Sequence, residues 1–372
     1  MTLDVIDLTR QLIAYDTVNP PGNEQACSEH LGRLLSGAGF DVQYHEMGPQ
    51  RPSLVARLGG GSGKPLCLTG HLDTVPLGSA PWSVDPFAGE SREGRLYGRG
   101  SSDMKAGVAA IAAAALAERE AAQGGPGVEL VFTAGEETGC EGAAHLAANG
   151  LLGSAGAVVV AEPTANRPYV GHKGALWFVA RTSGITAHGS MPEKGINAIH
   201  KAAEAVAKLK EFEFNEARHL VMGPPTLNVG TIRGGININS VPDFAEIGVD
   251  IRTVPGIDHR RLLEQMASYL GENVEVTVLM DVGPIWTDPM DPWVLQVFEV
   301  VGRVTGVPPA VETATFFTDA AALTKAYRYA PTVILGPGEA SQAHMTDEWC
   351  ATAKIVEAVE IYRQLIRLWC LS

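Results

Sequence analysis

The stretch Val128-Glu129-Leu130-Val131-Phe132-Thr133-Ala134-Gly135-Glu136-Glu137-Thr138-Gly139 is a short β-branched and aromatic run that leads into two adjacent carboxylates. Glycine and proline bound the run, and its composition predicts a buried strand over 128–133. Carboxylates side by side repel, and each resists ionising unless a cation lies near. Successive residues point in different directions, so one can bind a metal while its neighbour addresses a water molecule. A solvated Glu-Glu turn is the competing reading, and the rest of the chain bears on the choice.

Working outward, a predicted strand from Pro65 to Thr69 leads into Gly70-His71-Leu72-Asp73-Thr74-Val75-Pro76. Two residues apart on an extended segment, His71 and Asp73 share a side, so the carboxylate can orient the imidazole behind a metal. Asp103 precedes an alanine-rich helix predicted over 106–122. It suits a helix N-cap, yet strand-to-helix junctions are also where α/β folds place their chemistry. Downstream, the apolar strand Ala157-Val158-Val159-Val160-Ala161 ends in Glu162-Pro163-Thr164, and His344 follows a strand near Thr332 to Leu335 and the turn Gly336-Pro337-Gly338. His71, Asp103, Glu137, Glu162 and His344 offer two imidazoles and three carboxylates, a donor set suited to zinc, cobalt or manganese. If Asp103 bridges, two cations roughly 3.5 Å apart can be held. Glu136 is then unligated and free to serve as general base.

Elsewhere, helical spacing predicts helices over 2–15 and to about Ala38, with strands from Asp41 to His45 and Ser53 to Leu58. From Leu176 to about 282 the order becomes β-α-β-β-α-β, a ferredoxin-like arrangement. Helices over 292–304, 318–326 and 350–369 then restore α/β character. The expected fold is therefore α/β, with an inserted ferredoxin-like α+β domain: 1–175 and 283–372 form one domain and 176–282 the other. The turn from Gly59 to Pro65 is no phosphate loop, because Leu58 stands where the first glycine is needed and Pro65 replaces the Ser/Thr.

A formal net charge of -14 argues against nucleic-acid and anionic-membrane partners. The five cysteines (Cys27, Cys67, Cys140, Cys350, Cys370) are odd in number and lack paired spacing, which fits a reducing compartment. Residues 1–30 carry no signal-peptide pattern, and the apolar run Val108 to Ala117 is too short to span a bilayer. The expected location is the cytoplasm.

The chain resembles the co-catalytic zinc peptidase and deacylase family, whose members include acetylornithine deacetylase, succinyl-diaminopimelate desuccinylase, aminoacylase and bacterial glutamate carboxypeptidase. The residues that carry the resemblance are Gly70 to Pro76, Gly98-Arg99-Gly100-Ser101-Ser102-Asp103-Met104-Lys105, Gly135 to Gly139, Glu162-Pro163-Thr164 and Ala343-His344-Met345-Thr346-Asp347-Glu348. The resemblance implies one metal on His71, Asp103 and Glu162 and a second on Asp103, Glu137 and His344. It also implies Asp73 behind His71, Glu136 as base, and 176–282 as a lid and dimerisation domain of a homodimer. His188 resembles the histidine that reaches the partner subunit's site and stabilises the oxyanion, with an ordinary loop histidine as the alternative. Arg252 resembles the arginine that pairs with a substrate carboxylate, with a surface salt bridge as the alternative. Asn239 and Gly336 join it as expected substrate-binding residues. The expected activity is hydrolysis of N-acyl amino acids. Asn19-Pro20-Pro21-Gly22-Asn23-Glu24 and Gly336-Pro337-Gly338 resemble the acetylornithine deacetylase side, whereas Thr318-Asp319-Ala320-Ala321 resembles glutamate carboxypeptidases and departs from the desuccinylase pattern. Carboxypeptidase, dipeptidase or other C–N hydrolysis stands second, and a non-enzymatic binding protein last.

Overall fold

The computed structural model describes residues 3–59, 61–216 and 218–371. Thr2 of the first expected helix and Gly60 of the glycine-rich turn lie outside the described residues. The chain divides into two compact units, Met1–Gly171 with Trp286–Thr313 and Thr318–Ser372, and His172–Ile285 with Ala314–Phe317.

The first unit is built on a mixed sheet that contains, side by side in this order, Asp41–Glu46, Pro52–Leu58, Val128–Thr133, Leu66–His71, Ala157–Val160 and Thr332–Ile334. The last four of these run parallel to one another, and the first two are antiparallel additions. All four parallel strands are buried along their whole length, which explains why they read as continuous apolar runs rather than alternating ones. The helices Val5–Ile13, Gln25–Ser36, Ala106–Ala117, Pro292–Thr305 and Thr352–Cys370 join these strands in one apolar core. The alanine-rich helix is enclosed over Ala106 to Ala115, and its small side chains permit close approach. A Cβ on Gly107 would lie 2.3 Å from the Ala161 carbonyl oxygen.

The helix expected over 106–122 breaks at Glu118, where the backbone leaves the helical region, and resumes as Arg119–Gly124. The Glu118 carboxylate there accepts from Arg363 (2.7 Å) and Arg367 (2.5 Å) of the terminal helix. Two small strands without a counterpart in the sequence reading, Glu90–Arg92 and Arg95–Tyr97, pair antiparallel with each other, and Arg95–Tyr97 also pairs with Trp349–Ala351, so the terminal helix starts at Thr352. Glu141–Ala148 is a further unanticipated helix.

The second unit is a ferredoxin-like fold. Its four-stranded antiparallel sheet has the order Thr226–Gly234, Phe244–Thr253, Gly174–Ser183, Val274–Val282, and the helices Ala198–Lys210 and His259–Leu270 share its core. Alternation along Phe244–Thr253 buries Ala245, Ile247, Val249 and Ile251, as expected of a sheet with one covered face. Ala314–Phe317 joins this unit through the Lys173 N–H to the Ala314 carbonyl (3.1 Å) and an edge-to-face contact of Phe317 with Trp177. Among the described residues, no helix is long and apolar enough to cross a membrane.

Candidate metal centre

The carboxyl ends of the parallel strands in the first unit supply the site, the usual place for chemistry in such sheets. His71 is the last residue of Leu66–His71, Glu136 and Glu137 follow Val128–Thr133, and Glu162 follows Ala157–Val160. His344 lies in the loop after Thr332–Ile334, and Asp103 in the tight turn Ser101–Lys105 that opens the alanine-rich helix.

The structure brings these side chains into two groups, His71–Asp103–Glu162 and Asp103–Glu137–His344, each with ligand atoms within 4.8 Å of one another. Asp103 belongs to both: its Oδ1 is 3.1 Å from His71 Nε2, and its Oδ2 is 3.6 Å from His344 Nε2. Glu162 Oε2 stands 3.9 Å from His71 Nε2, and Glu137 Oε2 is 3.1 Å from His344 Nε2. Asp103 makes no helix cap, since the backbone at this residue is extended and no side-chain cap precedes the helix.

Asp73 departs in part from the sequence expectation. His71 Nδ1 meets the main-chain carbonyl of Asp73 at 2.9 Å, while the Asp73 carboxylate is farther off at 3.6 Å. That carboxylate instead accepts the N–H groups of Glu136 (3.0 Å) and Glu137 (3.2 Å) and the side-chain amide of Asn19 (2.9 Å). Asp73 thus holds the turn that aims both glutamates. Asn19 also donates to Thr138 (3.0 Å), a role the sequence signalled only by its place before Pro20-Pro21-Gly22.

Glu136 is buried, and its side-chain carboxylate has Cys140 Sγ at 3.8 Å. Burial pushes Glu136 well above the ordinary carboxylate range, and the charge of Glu162 pushes it further. Burial and the charge of Asp103 do the same to Glu162, and raise Glu137 against the hydrogen bond from His344. Burial opposes protonation of His71, yet its hydrogen bond to Asp103 and the charges of Glu162, Asp103 and Glu136 hold it well above the usual imidazole value. Burial alone would raise Asp103, but the hydrogen bond and charge of His71 hold it low. The cluster therefore gathers more negative charge than its own imidazoles offset. Glu137 Oε1 is buried with no hydrogen-bond partner among the described residues, and an orphaned buried carboxylate oxygen is costly without a cation or donor. The donor set and this orphan fit divalent metal ions.

The other expected site residues are placed as follows. Gly336 is buried in the first unit, where its N–H bonds to Thr164 Oγ1 (3.1 Å), and a Cβ would lie 2.1 Å from the Ala161 carbonyl oxygen. In the second unit His188 is exposed and bonds through Nδ1 to Ser190 Oγ at 2.7 Å. Asn239 is exposed and accepts the Gly189 N–H (2.7 Å), so His188 and Asn239 lie on adjoining loops. Arg252 pairs with Asp250 at 3.0 Å and lies over the Trp177 ring.

Comparison with known proteins places this geometry in context. The profile of peptidase family M20/M25/M40 matches residues 67–368. An acetylornithine deacetylase of Proteus mirabilis (strain HI4320) is 33% identical, covering 99% of this chain and 97% of its own length. A probable succinyl-diaminopimelate desuccinylase of Staphylococcus epidermidis is 29% identical, covering 98% of each chain. The crystal structure of the M20 family metallo-carboxypeptidase Sso-CP2 from Sulfolobus solfataricus superposes with a TM-score of 0.85 over 100% of both chains at 18% identity, a likeness of fold.

Proposed function

The chain belongs to peptidase family M20/M25/M40, and from that premise we propose that it is a metal-dependent deacylase of N-acyl amino acids, like acetylornithine deacetylase. Amide hydrolysis by a metal-assisted route is the chemistry of its relatives. The observation that carries the proposal is the pair of ligand groups sharing Asp103, with Glu136 buried and outside both.

His71, Asp103 and Glu162 would hold one ion, and Asp103, Glu137 and His344 the other. Divalent ions so placed, zinc or else cobalt or manganese, supply Lewis acidity toward the substrate carbonyl and toward water. Glu136 takes the proton of the attacking water and passes it to the leaving nitrogen. Asp73 keeps Glu136 aimed by accepting its main-chain N–H (3.0 Å). The resemblance supports His188 as an oxyanion donor and Arg252 as the partner of a substrate carboxylate, a task suited to a planar guanidinium. It likewise supports Asn239 and Gly336 in the substrate pocket, and the segment 176–282 as lid and dimerisation domain of a cytoplasmic homodimer.

The test is release of primary amine from a substrate panel by metal-reconstituted protein. The panel holds N-acetyl-ornithine, other N-acyl amino acids, succinyl-diaminopimelate, acyl-glutamates and dipeptides. Turnover confined to N-acyl amino acids with a free α-carboxylate, with a raised KM in Arg252→Ala, is the expected result. Turnover of dipeptides or succinyl-diaminopimelate in preference would overturn the deacylase assignment.

A further inference from the structure

Beside the ligands lies an ion pair that the chemistry above leaves unused. Arg99 and Glu348 are almost completely buried, 1% and 0% exposed, with Nη1 and Oε2 2.7 Å apart. Oε2 also accepts the Gly100 N–H (2.9 Å), and Oε1 accepts those of Ser102 (2.7 Å) and Asp103 (3.0 Å). One carboxylate thus gathers four donors from residues 99–103, the turn that carries Asp103. Gly100 has a left-handed φ of 82°, and a Cβ there would lie 2.6 Å from Thr74 Cγ2, so this turn position is held to glycine.

Arg99 extends the same clamp. Its guanidinium donates to the Met345 carbonyl (3.3 Å), next to His344, and to the Pro76 carbonyl (3.1 Å), in the loop after His71. Buried ion pairs are weak sources of stability because desolvation offsets their attraction, and retention of one here fits a geometric role. The two ligand groups also differ in their support. His71 and Glu162 are buried at strand ends, whereas His344 is 56% exposed on a loop and has a left-handed φ of 65°.

We propose that Glu348, with Arg99 as its counter-ion, is a positioning residue that sets the Asp103–His344 separation and so builds the metal position formed by Asp103, Glu137 and His344. The proposal rests on the dinuclear reading above. Glu348→Gln tests it, since a glutamine is isosteric but turns an NH2 toward main-chain N–H groups that need an acceptor. Arg99→Lys is the companion variant: it keeps the charge and loses the fork to Met345 and Pro76.

Metal-free wild type and both variants are titrated with Co2+, following heat and the visible absorption of the bound ion, with metal content checked after dialysis against Zn2+. Circular dichroism reports folding. Wild type is expected to bind two ions. Folded Glu348→Gln is expected to bind the first ion as wild type does and the second about 10–100-fold more weakly, the usual scale for groups that orient ligands. Arg99→Lys should weaken the same second step, and decides alone if Glu348→Gln does not fold. Two wild-type binding steps in either folded variant, or equal loss at both steps, overturns the proposal. Fewer than two ions in the wild type overturns the dinuclear reading, and this inference with it.

Discussion

Removing the metal is expected to leave a site that stores protons. In the metal-free protein, Glu136 and Glu162 are held well above the ordinary 4.5 and His71 well above 6.5. As pH rises past 4.5, the unfolded chain gives up its glutamate protons while the folded one keeps them. The stability contributed by each raised glutamate is thus fully present below 4.5 and is lost as pH climbs through its folded value. His71 adds a loss of the same sign that begins above 6.5. Asp103 acts in the opposite direction, but only in the region below 3.8. Each proton kept by the folded state tilts the unfolding free energy by about 1.4 kcal/mol per pH unit. Metal binding needs deprotonated ligands, so the protons held on Glu162 and His71 must leave. Calorimetry in buffers of different ionisation enthalpy, at about pH 6, counts them, and urea unfolding of the metal-free protein across the weakly acidic range measures the slope. Net proton release on metal binding, together with falling metal-free stability, is expected. Metal uptake with no net proton release, joined to metal-free stability that is flat in pH, would refute the argument.

Glu136→Gln should retain both metal ions, because Glu136 lies outside both ligand groups, and lose about 10³-fold or more in kcat. Steady-state kinetics beside metal analysis checks this, and near-normal turnover would remove Glu136 as the base. Gly336→Ala would bring a Cβ to 2.1 Å from the Ala161 carbonyl oxygen and 2.5 Å from that of Glu162. Because backbone cannot yield cheaply, a loss of about 1–3 kcal/mol is expected, read as a lower urea midpoint. An unchanged midpoint would show that this contact relaxes freely.

The Val128–Thr133 strand was legible from its run of β-branched and aromatic residues, and the second unit's topology from a change of apolar period at about Leu176. Such patterns are local, since burial on one or both faces of an element leaves its period in the chain. The five candidate ligands were legible for a related reason. A charged or ligating residue placed just where an apolar strand ends is conspicuous, and the parallel sheet gathers those ends along one edge. The structure brings all five together around Asp103.

Long-range pairing decided the rest. Glu118 breaks the alanine-rich helix where Arg363 and Arg367 reach it, and nothing within that helix announces partners so distant in sequence. The Asp73 carboxylate, expected behind His71, lies 3.6 Å from its Nδ1 and also accepts the main-chain N–H groups of Glu136 and Glu137. Asn19 and Glu348 work through hydrogen bonds to segments far along the chain. The sequence by itself therefore determined which elements form and which residues could bind metal, because periodicity and donor chemistry are properties of short stretches. The family resemblance had already grouped the donors around Asp103; only the tertiary structure decided what holds each in place, because a hydrogen bond depends on distance and angle that chain order does not encode.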